Sequence, residues 1–147
     1  MKKSIVLLGL VGALALGGCQ QVKEMPADQA QAFAKIVEPE VENMLVGFSN
    51  KDYAAHTRDF DQDMLDTVDP VTFPQVYDEV IGKLGKYHSH TLSGVQIQND
   101  EFIVARYNAV FDNDPQVVVR VVFNDGDTQY KITGLWFDSK LLQESAK

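Results

Sequence analysis

Cysteine is almost missing from this 147-residue sequence, which has one, Cys19. An internal disulfide is therefore excluded. Basic residues are also scarce, 13 against 21 acidic, for a formal net charge of -8. A surface of that sign repels phosphate backbones, which argues against a nucleic-acid partner, and it disfavours polybasic docking on anionic lipid. Beyond the first 18 residues no run is apolar for the roughly 20 positions that a bilayer span needs. No self-similar period marks a repeat array, and no Gly-x-Ser-x-Gly marks a nucleophile elbow. Aromatics are plentiful and 45% of the chain is hydrophobic, enough for one ordinary packed core.

The chain opens Met1-Lys2-Lys3, continues with an apolar run from Ile5 to Leu16, and reaches Leu16-Gly17-Gly18-Cys19. A basic head before a short apolar stretch has the form of a secretory signal. The Leu-Gly-Gly-Cys ending resembles the lipobox of bacterial lipoproteins. That resemblance implies cleavage before Cys19 and diacylglycerol on its thiol, so the expected membrane partner is reached through lipid. Removing residues 1–18 takes away Lys2 and Lys3 and makes the remainder more acidic still. Gln20, where inner-membrane lipoproteins of Gram-negative cells often carry Asp, leans toward the periplasmic face of an outer membrane. The expected organisation is a signal peptide over 1–18, a lipidated tether over 19–28 and one domain over 29–147. At about 3.4 Å per residue the tether would reach at most ~30 Å.

Asp28 is placed to cap a helix to Phe48, with Phe33, Ile36, Val37, Val41, Met44, Leu45 and Phe48 at three- and four-residue steps and Pro39 interrupting. Asn50 would cap a short helix over Asp52–His56. The acidic stretch Thr57–Pro70 reads as irregular. Thr72 would cap a third helix, Phe73–Leu84, with Pro74 early and Gly85 as its stop. From Ser89 the apolar period changes to two, which predicts strands at Ser89–Ile97, Phe102–Phe111, Gln116–Phe123 and Gln129–Phe137. Short turn-rich connections make them an antiparallel meander. The fold class is α+β, with three N-terminal helices on one face of an antiparallel sheet of four or more strands.

On that sheet, Ile103, Ala105, Tyr107, Ala109 and Phe111 share one face, as do Val117, Val119, Val121 and Phe123. Val118 and Val122 flank Arg120 on the other face. Those outer valines have two readings, β-propensity on a partly covered sheet or a homodimer through the outer face.

Helices followed by a meander resemble the cone-shaped NTF2-like fold of the cystatin-like superfamily. Asn50-Lys51-Asp52-Tyr53, Arg58-Asp59-Phe60-Asp61-Gln62-Asp63-Met64, Tyr77, Gly85-Lys86-Tyr87 and Ile132-Thr133-Gly134-Leu135-Trp136-Phe137-Asp138-Ser139 resemble an uncharacterised bacterial NTF2-like family. The resemblance runs from about Ala30 to Leu141. It implies a fold and an extracytoplasmic setting, and no chemistry.

The chemistry of the remaining candidates is thin. An EF-hand loop starting at Asp59 would need glycine sixth and glutamate twelfth, where Met64 and Pro70 stand, so the acidic stretch is no calcium loop. His88 and His90 bracket Ser89 and would share a strand face, but no spacing supplies a third metal ligand, so no metal is assigned. No cofactor is implied. Phe60, Tyr107 and Trp136 are the candidate lining of a small ligand pocket between helices and sheet, or else plain core rings. Asp59 with Arg58 beside Phe60 has a structural alternative, a turn tied to the sheet. The leading expectation is a non-catalytic lipoprotein domain that binds a small ligand or an envelope protein. The alternatives are an enzyme that pairs an in-cone carboxylate, Asp59 or Asp61, with Tyr107, and a self-associating envelope module.

Overall fold

The computed structural model describes residues 20–144, so the processing site and Cys19 lie outside the described residues. Strand β1 (Val22–Glu24) comes first, followed by helices α1 (Ala27–Ser49), α2 (Tyr53–Thr57), α3 (Gln62–Thr67) and α4 (Phe73–Leu84). Strands β2 (Tyr87–Gln98), β3 (Phe102–Phe111), β4 (Val117–Asn124) and β5 (Ile132–Asp138) follow, with a last short helix α5 (Lys140–Gln143). The architecture is α+β, and one antiparallel sheet runs in chain order from β1 to β5.

Four helices, not three, precede the meander among the described residues. The added one, α3, arises inside the acidic stretch because the Asp61 carboxylate accepts from the Met64 N–H at 2.9 Å, the bond of an N-cap. Helix α1 starts after Pro26, which lacks the N–H that a first turn leaves unpaired, and Asp28 sits within that turn instead of capping it. Asp52, not Asn50, caps α2 by accepting from Ala55 N at 3.0 Å. Thr72 makes no side-chain cap bond; Asp69 accepts from the Val71 and Thr72 N–H groups at 2.7 and 2.9 Å. Those two bonds hold the Asp69 carboxyl below the usual aspartate range. Gly85 ends α4 at a φ of 75°, which an L side chain adopts at a cost.

Within the stretch read as a tether, Val22–Glu24 is instead the edge strand of the sheet. Val22 faces Gln98, Lys23 faces Ile97 and Glu24 faces Gln96. Glu24 holds it there: its carboxylate accepts from Arg106 Nη2 at 3.2 Å, reaching across β2 to β3, and from Gln96 Nε2. At the opposite edge, Phe60 makes a parallel bridge to Ile132. Asp61 N donates to Ile132 O at 3.0 Å, and Ile132 N donates to Asp59 O at 2.8 Å. This is the structural turn tied to the sheet, with Arg58 paired to its neighbour Asp59 at 2.6 Å. Strand β5 begins three residues later than the alternation suggests, since Asp127 accepts from the Gln129 and Lys131 N–H groups and keeps the chain in a turn.

The core lies between α1 and the inner sheet face. Val37, Val41, Met44 and Phe48 of α1 meet Val95, Ala105, Tyr107, Val119, Val121 and Phe123, all at most 2% exposed. Ile36, expected on the same helix face, is 55% exposed. His56 is buried against Phe48 and Phe60, and its Nδ1–H donates to Met44 O at 3.0 Å. Burial keeps this imidazole neutral by lowering its pKa.

Candidate functional site

The three residues expected to line one pocket do not meet. Phe60 is 4% exposed and serves the core and the β5 edge. Trp136 stands across from Arg120 on the sheet face away from the helices and is 51% exposed. Its ring lies over Gly134, where any Cβ would sit 2.5 Å from the indole, and Arg120 lies 5.8 Å from its centroid. Trp136 helps line an open groove of about 580 Å³ with Phe102, Val104, Arg120 and Val122. Val104 and Val122 are 3% and 9% exposed although they point outward, so much of the outer apolar set is already covered within one chain.

Tyr107 is different. It is 1% exposed, and its hydroxyl is buried with no hydrogen-bond partner among the described residues. It helps line a depression of about 220 Å³ together with Gln31, Lys35, Glu38, His90 and Leu92. Burial first, and the nearby Glu38 charge second, push its hydroxyl pKa well up, so the group stays a proton donor.

A register irregularity in β2 brings His90 to the same place. The ladder between β2 and β3 slips between Tyr87 and Ser89, so Tyr87 faces Phe111 while His90 faces Ala109 on the inner side. The two histidines therefore do not share a face. His88 leaves the core and meets Asp112, Nε2 to Oδ1 at 2.5 Å. His90 turns toward α1, its side chain 4% exposed, with its ring edge-on to Tyr107 at 4.9 Å.

Two glutamates one helical turn apart complete the cluster. His90 Nε2 lies 3.1 Å from Glu38, and Nδ1 lies 3.4 Å from Glu42. The Tyr87 hydroxyl stands between them, donating to Glu42 Oε2 at 2.6 Å and 2.6 Å from His90 Nδ1. Burial and Glu42 raise the Tyr87 pKa, so this phenol also keeps its one proton. A phenol that gives that proton to Glu42 offers His90 Nδ1 a lone pair, and Nδ1 must then carry the hydrogen. The Nε2 lone pair of a neutral His90 then faces the Glu38 carboxylate directly. In the other tautomer the phenol donates to Nδ1 and Nε2–H donates to Glu38 at 3.2 Å; the first arrangement sets two acceptors against each other and suits a cation between them.

Neither glutamate was singled out in the sequence, where Asp59 and Asp61 were the carboxylates paired with Tyr107. Asp59 is held by Arg58, and Asp61 caps α3. The signal for Glu38 and Glu42 was their four-residue spacing beside the buried positions Val37 and Val41, which Pro39 obscured. Comparison of the chain with protein-family models, with curated proteins and with solved structures finds no match.

Proposed function

We propose that this chain is an extracytoplasmic lipoprotein, anchored through lipid on Cys19, whose NTF2-like domain is a non-catalytic module that binds a small ligand between α1 and β2. The order of helices and then meander, with α1 against the inner sheet face, supports the NTF2-like reading. One observation carries the binding reading: an unpartnered hydroxyl, Tyr107, buried at a depression that Glu38 and His90 also line. Burying a hydroxyl without a partner destabilises the fold by about 1–3 kcal/mol, so the group makes sense as a donor to something that arrives. With β1 already in the sheet, residues 19–21 alone separate the anchor from the domain, about 10 Å at full extension. The domain therefore rides close to the bilayer.

Tyr107 next to Glu38 also fits the second reading, an enzyme that pairs a tyrosine with a carboxylate. Size favours the first with a ligand of only a few atoms, the space being short for an organic substrate and an organic ligand alike. The depression holds about 220 Å³, whereas pockets for organic molecules commonly run to about 300–1,000 Å³.

Two tests bear on the two halves of this reading. Cys19→Ala is expected to abolish labelling by a clickable fatty acid and to leave precursor of higher mass; persistent labelling would refute the anchor. Tyr107→Phe is expected to leave the fold intact and to raise its stability in urea by about 1 kcal/mol, since it deletes a buried hydroxyl that has no partner. A loss of stability would mean that the hydroxyl already has an internal partner, and the binding reading fails.

A further inference from the structure

We propose that Glu38, Glu42 and His90 form a binding site for a divalent transition-metal cation, zinc being the simplest occupant, with the Tyr107 hydroxyl as donor to a water on that ion. The inference rests on the binding site read above and names its ligand. One ligand atom from each of the three residues lies within 4.8 Å of the others, close enough for a single ion to reach all of them. Two carboxylates and an imidazole are a hard-to-borderline donor set. The imidazole suits zinc and its first-row neighbours, whereas calcium and magnesium take oxygen ligands. Three protein ligands leave a tetrahedral ion one position open to water.

Acidic side chains that cluster at a surface need no ion, and two further features separate this cluster from such a group. The first is the Tyr107 hydroxyl, buried, unpartnered and lining the same depression as Glu38 and His90. A water or hydroxide held by a cation there would accept a hydrogen bond from the Tyr107 O–H and so remove the buried orphan. The second is the way His90 is oriented. Metal-bound histidines generally give their second ring N–H to a fixed oxygen, which sets the tautomer and leaves the other nitrogen's lone pair for the ion. Tyr87 is placed to be that oxygen: its hydroxyl lies 2.6 Å from both Glu42 Oε2 and His90 Nδ1, and with the phenol proton on the Glu42 side the Nε2 lone pair is left facing Glu38. The geometry also allows entry. Glu38 and Glu42 are about half exposed, 51% and 49%, while the His90 side chain behind them is 4% exposed.

The test is titration of the full chain, purified in nonionic detergent, with zinc ion against a chromophoric chelator. Wild type is expected to take up one zinc per chain. Glu38→Gln and His90→Gln should each weaken binding at least about tenfold, Tyr107→Phe about tenfold, and His88→Gln less than about twofold. Glu38→Gln removes a half-exposed charge and is expected to fold even where a change at buried His90 does not. No uptake by wild type with zinc in large excess overturns the proposal, as does equal affinity in Glu38→Gln. So does loss of binding in His88→Gln, which would place the zinc at Asp112. A stabilised Tyr107→Phe together with a wild type that takes no zinc removes the cation and keeps the binding site. A destabilised Tyr107→Phe removes the site itself.

Discussion

Phe48→Ala is expected to cost the domain about 3–5 kcal/mol, a large part of the 5–15 kcal/mol that folded domains possess. Phe48 is 2% exposed and stands where four elements meet. Its ring stacks on Phe137 of β5 at 5.4 Å, lies tilted 4.8 Å from His56 of α2, and meets Phe73 and Tyr77 of α4, each at 5.9 Å. Two of those rings are held where they are, His56 by its bond to Met44 O and Tyr77 by its bond to Ser49 O, so they do not swing in to fill the space. Truncation therefore leaves a cavity that separates α2 and α4 from the sheet, and a cavity of that kind adds to the lost transfer energy. The measurement is urea unfolding followed by tryptophan fluorescence, which Trp136 on β5 reports. A loss below about 1.5 kcal/mol, the scale of a volume-conserving swap, would show that α2 and α4 collapse onto the sheet without it.

How much of this was legible beforehand divides along a physical line. The helix α4 and the strand β3 were readable to the residue, because each is a complete period closed by local chemistry: Pro74 and Gly85 bound α4, and Asn99–Asp100 and Asp112–Asn113 bound β3. The inner sheet face followed from alternation alone, Ile103 to Phe111 and Val117 to Phe123. Two short elements, α3 and β1, were not readable. Helix α3 depends on Asp61 as cap, and in sequence Asp61 is one of five aspartates within eleven residues. Strand β1 carries no apolar pattern, being exposed along its length, and exists by pairing with β2 and by the Glu24–Arg106 contact. The site failed for a different reason. A one-residue slip in a strand reverses every side chain beyond it. The slip after Tyr87 sends His90 inward and His88 outward, so a histidine pair drawn on an ideal strand has the wrong partners. Trp136 was misplaced through its size, since a large ring suggests a core, while Gly134 beneath it gives the indole a seat on the outer face.

Gly47→Ala and Gly82→Ala make the same chemical change in two helices and are expected to act in opposite directions. Gly47 lies in α1 where α2 crosses it. A Cβ built there would sit 2.5 Å from His56 N, 2.9 Å from Ala55 C and 2.9 Å from His56 Cα. All three are backbone atoms, so no side chain can swing aside and α2 itself must move. It is tied in place by Asp52 N donating to Gly47 O at 2.8 Å, by the His56 bond to Met44 O, and by Asn43 Nδ2 donating to Ala55 O at 2.6 Å. Alanine at this position strains all three bonds, and overpacking of this sort costs about 1–3 kcal/mol or more, of which better helix propensity returns less than about 1. Gly82 lies on the exposed side of α4 with nothing within 4 Å of its would-be Cβ. There alanine meets no obstacle and removes backbone freedom from the unfolded chain, for a gain of about 0.5–1 kcal/mol. Paired unfolding curves measure both. The decisive quantity is the difference between the two variants, expected at about 1–3 kcal/mol, since the propensity gain is common to both and the overpacking at Gly47 is what remains. If Gly47→Ala were as stable as Gly82→Ala, the close crossing of α1 and α2 would be wrong, and with it the burial of His56 between Phe48 and Phe60.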